Sequence, residues 1–112
     1  VPSFNVIGNS PLVLRESLLD EVYTMGENFV EAAKRIVSPG MNGPFCIEGV
    51  YDENAKFTSF EFSARIVAGT NIYMDGSPYY SLLFNENMSM GKRIAREVKI
   101  AEEKNEIEKI VT

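Results

Sequence analysis

Two carboxylates, Glu48 and Glu61, are the side chains whose type and placement best suit chemistry in this chain. The stretch 43–65 reads as a β-hairpin. Within it Thr58, Phe60, Phe62 and Ala64 alternate with Ser59, Glu61, Ser63 and Arg65, which makes one face mostly apolar and the other polar. Upstream, Cys46, Glu48 and Val50 alternate with Phe45, Ile47, Gly49 and Tyr51, and Asp52-Glu-Asn-Ala55 between the runs is turn-forming. A loop of those four residues sets Glu48 opposite Ser59 and leaves Glu61 on the diagonal. Diagonal neighbours on one face lie about 7 to 8 Å apart, within reach of long side chains. Two like charges that close repel, and a hard divalent cation between them removes the conflict.

Alone, such a pair is more often a solvated surface feature than a metal site. Its surroundings change the balance. Arg65 continues the polar face beyond Glu61, and Gly69-Thr-Asn71 follows the strand. Magnesium takes one or two carboxylates together with phosphate oxygens, an Arg guanidinium makes a two-pronged bond to phosphate, and a Gly lets backbone N–H groups approach an anion. Together these residues are the equipment for holding a polyphosphate through a divalent metal.

Composition narrows the alternatives. The chain has 112 residues and is 45% hydrophobic, which predicts a single globular unit with one core. Its net charge of -5 argues against a nucleic-acid binder, whose phosphate affinity needs clustered Lys and Arg. No apolar run approaches the ~20 residues that span a bilayer, and no leader-like segment opens the chain, so no membrane partner is expected. The single cysteine, Cys46, has no internal partner, and a reducing, cytoplasmic location is expected. With no His, triads built on imidazole and His-ligated zinc are excluded. The first residue is Val1, and residues 4–7 already read as an interior strand, so a piece of a longer polypeptide is expected.

The elements that must position these groups follow from periodicity. After the strand at 4–7 and a turn at 8–11, Ser17 reads as the N-cap of a helix with Asp20 and Glu21 in its first turn and Lys34 and Arg35 in its last. Leu18, Val22, Met25, Phe29, Ala32 and Ile36 form its buried stripe, and Gly26 predicts a close neighbouring backbone. Residues 67–71 read as a loop, and 79–84 fit a strand or a short helix. Ser89 caps a last helix to about Lys104, whose first-turn Lys92 and Arg93 oppose the helix dipole and call for a nearby anion or solvent. The order predicts an α+β fold, an antiparallel sheet with helices packed on one face and the acids on the other.

The segment Phe60-Glu-Phe-Ser-Ala-Arg65, with an acid on the partner strand, resembles the metal-binding end of the ATP-grasp fold, with Ser63 where Asn is usual. Taken with Val6-Ile-Gly-Asn9, Gly43-Pro-Phe-Cys46, Gly69-Thr-Asn71 and Ser89-Met-Gly-Lys-Arg-Ile-Ala-Arg-Glu97, the whole chain resembles the C-terminal third of the archaeal formate-dependent FAICAR synthetase family. That resemblance implies a ligase of purine biosynthesis. It uses ATP and formate, with Mg2+ or Mn2+, to formylate aminoimidazole carboxamide ribonucleotide (AICAR) through formyl phosphate. It further implies that Glu48 and Glu61 bind metal, that Asn9 contacts the ribonucleotide, and that Arg65, as catalytic group, joins Gly69, Thr70 and Asn71 at phosphate. The partners it implies are the upstream part of the same polypeptide, which carries the adenine pocket, and further copies in a homo-oligomer. Residues 1–112 alone would then be an inactive ATP-grasp subdomain. A non-catalytic assembly module on the same fold, or a ligase with another substrate, is the alternative.

Overall fold

Acids near one end, bases near the other and apolar residues at helical spacing between them produce helix α1 (Leu19–Ile36). The computed structural model describes residues 1–72 and 74–111, without the side chains of Asn71 and Ile72. Ser17 does not cap α1. It lies in a 3-10 turn (Glu16–Leu18), and the residue flanking α1 is Leu18, which makes no side-chain cap bond. Beyond the far end, Gly40 holds φ 98°, and a Cβ there would lie 2.8 Å from Lys34 Cγ.

The hairpin forms as β1 (Cys46–Tyr51) and β2 (Phe57–Ser63), an antiparallel pair. Its connection is one residue longer than expected, 52–56. Asp52 organises it: its Oδ1 accepts from the backbone N–H groups of Asn54 and Lys56, both at 2.9 Å. Tyr51 therefore pairs with Phe57, not Lys56, and their rings lie 5.0 Å apart.

A β-bulge then shifts the ladder between Glu48 and Gly49: Gly49 pairs with Ser59, Glu48 with Glu61, and Phe60 has no partner. The expected even–odd division of β2 breaks at Phe60. Thr58 joins Glu61 on one face, and Phe57, Ser59 and Phe62 share the other. Gly49 makes this possible, because a Cβ there would collide with the Phe57 ring and the Thr58 carbonyl oxygen.

Helix α1 meets the hairpin on the face without the acids. The Phe29 ring sits 4.8 Å from that of Phe62. Gly26 faces the ring of Phe45, 3.9 Å from where a Cβ would stand, and not the neighbouring backbone that its position suggested.

Residues 68–72, expected as loop, form a 3-10 helix (Ala68–Ile72). Residues 79–84 resolve as helix, α2 (Pro78–Phe84), with the Ser77 side chain accepting from Tyr79 N–H and Pro78 at the first position. Ser89 caps α3 (Met90–Glu103) as expected, accepting from Lys92 N–H at 3.2 Å. A last 3-10 turn (Ile107–Lys109) follows. The fold is thus α+β, with a two-stranded antiparallel sheet and three α-helices.

Two further expectations fail. Residues 4–7 form no strand, because among the described residues no neighbouring strand offers them a ladder. Nor does the chain bury a core of its own: among the described residues only Met88 and Ala101 are buried. The radius of gyration, 15.8 Å, exceeds the ~13 Å of a compact chain this long.

Candidate functional site

Glu48 and Glu61 face each other directly across the ladder, closer than the diagonal expected from a regular hairpin. The longer turn and the bulge produce this together. Each adds one residue on the β2 side before Glu61, Lys56 in the turn and Phe60 at the bulge, and the two advance Glu61 from the diagonal to the position opposite Glu48. Directly opposed residues have Cβ atoms about 4.5 to 5.5 Å apart, and like charges so placed destabilise the pair. Neither carboxylate has an ion-pair partner among the described residues.

Cys46 shares this face, two residues from Glu48. Burial pushes its thiol up from the usual range, the negative charge of Glu48 adds to that, Arg65 opposes it, and Glu61 contributes last. The thiol is therefore a poor nucleophile. Those influences place Cys46, Glu48, Glu61 and the Arg65 guanidinium in one electrostatic neighbourhood. Arg65 itself lies just past β2, exposed, with its Nη1 donating to the carbonyl of Ile66 at 3.0 Å.

The magnesium implied by the resemblance fits this donor set. Two facing carboxylates without a cation of their own present hard oxygen ligands, and Mg2+ ordinarily takes its remaining positions from water and substrate phosphate. No group of three or more Cys, Asp or Glu side chains suited to a metal occurs among the described residues, so protein atoms here would supply a minority of the ligands.

The remaining candidates lie elsewhere. Gly69 and Thr70 line a separate cavity of about 220 Å3 with Gly76, Ser77, Tyr80 and Met90, a lining that includes neither acid nor Arg65. Space beside Gly69 is open, with nothing within 4 Å of a hypothetical Cβ. The Asn71 side chain lies outside the described residues. Asn9 is exposed and makes no hydrogen bond or ion pair among them.

Lys92 and Arg93 find their anions within the protein. Lys92 pairs with Glu86 at 2.7 Å and Arg93 with Glu97, while Arg96 reaches Glu86 at 3.0 Å. Both guanidinium groups stack on Phe84, Arg93 at 4.7 Å and Arg96 at 4.5 Å from its centroid, which fastens α2 to α3. Glu86 was not legible as the hub of this cluster. Its six-residue separation from Lys92 crosses the start of α3, where helical spacing rules do not apply. Arg15 and Glu16 form no ion pair with each other.

Among the described residues no helix is long and apolar enough to cross a membrane. The chain is similar to proteins named 5-formaminoimidazole-4-carboxamide-1-(beta)-D-ribofuranosyl 5'-monophosphate synthetase. In that of Nitrosopumilus maritimus identity is 88% over 112 residues, all of this chain and 33% of the relative. The Cenarchaeum symbiosum protein is 71% identical over the same span, again 33% of its length. That of Archaeoglobus fulgidus is 54% identical over 98% of this chain and 31% of its own length. The chain thus spans about a third of the length of the curated relatives it matches, and it belongs to the family described as "Domain of unknown function (DUF1297)", which matches residues 1–112.

Proposed function

We propose that this chain is the C-terminal subdomain of an ATP- and formate-dependent ligase that formylates AICAR to FAICAR in purine biosynthesis, and that it supplies the metal- and phosphate-handling end of the active site. The observation that carries the reading is the direct opposition of Glu48 and Glu61 on the sheet face away from α1, with no cation partner among the described residues. Relatives with the synthetase name cover all of this chain, which supports the same reading.

In this reading Glu48 and Glu61 hold Mg2+ or Mn2+, whose charge offsets that of the ATP phosphates. Arg65 exchanges its bond to the Ile66 carbonyl for one to the γ-phosphoryl oxygens, where charge builds as the phosphoryl group transfers. A formate oxygen attacks γ-phosphorus and ADP leaves. The AICAR amine then attacks the formyl carbon, releasing phosphate and a proton. Gly69, Thr70 and Asn71 act at phosphate through backbone N–H and side-chain donors, and Asn9 contacts the ribonucleotide. The upstream part of the polypeptide holds adenine.

Product analysis with labelled formate, ATP, Mg2+ and AICAR on the full-length polypeptide tests this. Label should enter FAICAR, and Glu61→Gln should lower kcat/KM at least a hundredfold. Label-free FAICAR, or turnover unchanged in the variant, overturns the reading.

A further inference from the structure

Two aromatic contacts hold the hairpin, one near its turn and one toward its open end. At the turn, the Asp52 side chain closes residues 52–56, Tyr51 pairs with Phe57 with their rings 5.0 Å apart, and the Phe57 ring lies over Gly49, where a Cβ would strike it. Toward the open end, Phe62 pairs with Ile47 and packs on Phe29 of α1, with ring centroids 4.8 Å apart.

A regular ladder cannot satisfy both contacts. Tyr51 and Ile47 stand four positions apart in β1, so their side chains share a face, whereas Phe57 and Phe62 stand five apart in β2 and would alternate to opposite faces. One extra residue in β2 returns them to a common face, and Phe60 is that residue. The acids depend on the same count. Continued from the Gly49–Ser59 pair without a bulge, the ladder would set Glu48 opposite Phe60 and Glu61 opposite Ile47, with the two carboxylates on different faces.

We propose that Phe62 is a positioning residue for the carboxylate pair: seated on Phe29, it holds the bulge in place and so keeps Glu61 opposite Glu48, although its own ring lies on the other face of the sheet. A slip to regular pairing would carry the Phe62 ring off Phe29 and turn the Glu61 charge toward the apolar face that meets α1, and both changes are unfavourable. A helix on the far side of the sheet thus sets the register of the acids. The use of that register to hold a metal rests on the ligase reading; the register itself does not.

Disulfide trapping on the metal-free full-length polypeptide tests the register. With Cys46→Ser removing the neighbouring thiol, Glu48→Cys and Glu61→Cys should join in most molecules on mild oxidation, because directly opposed residues meet the ~4.4 to 6.8 Å Cα separation of a disulfide. Adding Phe62→Thr, or Phe29→Ser on α1, should cut the yield at least fivefold, while Phe62→Leu, which keeps an apolar contact with Phe29, should leave it within twofold. Deleting Phe60 makes the ladder regular with Glu61 still opposite Glu48, so in that background Phe62→Thr should also leave the yield within twofold. A yield insensitive to Phe62→Thr when Phe60 is present overturns the proposal. So does a loss that deletion of Phe60 fails to rescue, which would reduce Phe62 to general support of the fold.

Titration with Mn2+ alone, both acids intact, carries the consequence to the metal. Phe62→Thr should weaken binding at least tenfold, and deletion of Phe60 in the same chain should restore it to within threefold of the parent. A polypeptide whose 48–61 disulfide responds to Phe62 as expected but whose parent binds no Mn2+ sinks the metal reading alone. One that binds Mn2+ equally well with and without Phe62→Thr sinks this inference alone.

Discussion

At the scale of single residues, function and stability pull against each other where Glu48 meets Glu61. Replacing either by Gln removes the like-charge opposition, so with metal chelated the variant should resist urea as well as the parent or better, by up to about 1 kcal/mol. The same change should weaken Mn2+ binding at least tenfold, measured by titration. A variant that loses stability in chelator contradicts the geometry. Glu86 behaves oppositely. A hydrogen bond from Lys92, then the charge of Lys92, hold its carboxyl below the ordinary 4.5, with burial opposing and Arg96 assisting. A depressed folded-state value means that this contribution is present above pH 4.5 and is lost as pH falls through the lower folded value. The melting-temperature gap between the parent and Glu86→Gln should therefore be constant near neutrality and close below pH 4.5.

At the scale of elements, the hairpin depends on a residue with no side chain. Gly49→Ala drives a methyl group into the Phe57 ring and the Thr58 carbonyl, and denaturant unfolding should report a loss of about 1 to 3 kcal/mol. Ser89→Ala removes the α3 cap and should cost ~1 kcal/mol by the same measurement. The acids on one face, α3 with its cap, and α1 with complementary charges at its ends were all legible in the sequence, because each follows from local spacing or a local hydrogen bond. The bulge was not. Phe60 has the same alternation as its neighbours, and only the choice of Asp52 to close a five-residue turn, 52–56, with Gly49 admitting Phe57, reveals that the ladder slips. The strand expected at 4–7 failed for the converse reason: its pattern is correct, but a strand also needs a neighbour to bond with. Of the candidate site, the acid pair and the nearby Arg65 charge were legible. The distinct cavity of Gly69 and Thr70 was not, since sequence order says nothing about where a 3-10 turn points.

At the scale of the whole molecule, guanidinium groups stacked on Phe84 bind α2 to α3, one aromatic pair joins α1 to the hairpin, and few side chains among the described residues leave water completely. Apolar groups at Phe4, Val6 and Ile7, on the hairpin and at Leu82 and Leu83 of α2 remain in solvent, the last two 76% and 65% exposed. That distribution has a calorimetric signature. Unfolding raises heat capacity mainly by wetting apolar surface, and a large share of that surface is wet already while the fold is intact. Scanning calorimetry of residues 1–112 should therefore give an increment well below the ~1.5 kcal/mol/K usual for this length, with a correspondingly shallow urea dependence. An increment at the usual value would mean that a dry interior forms in solution.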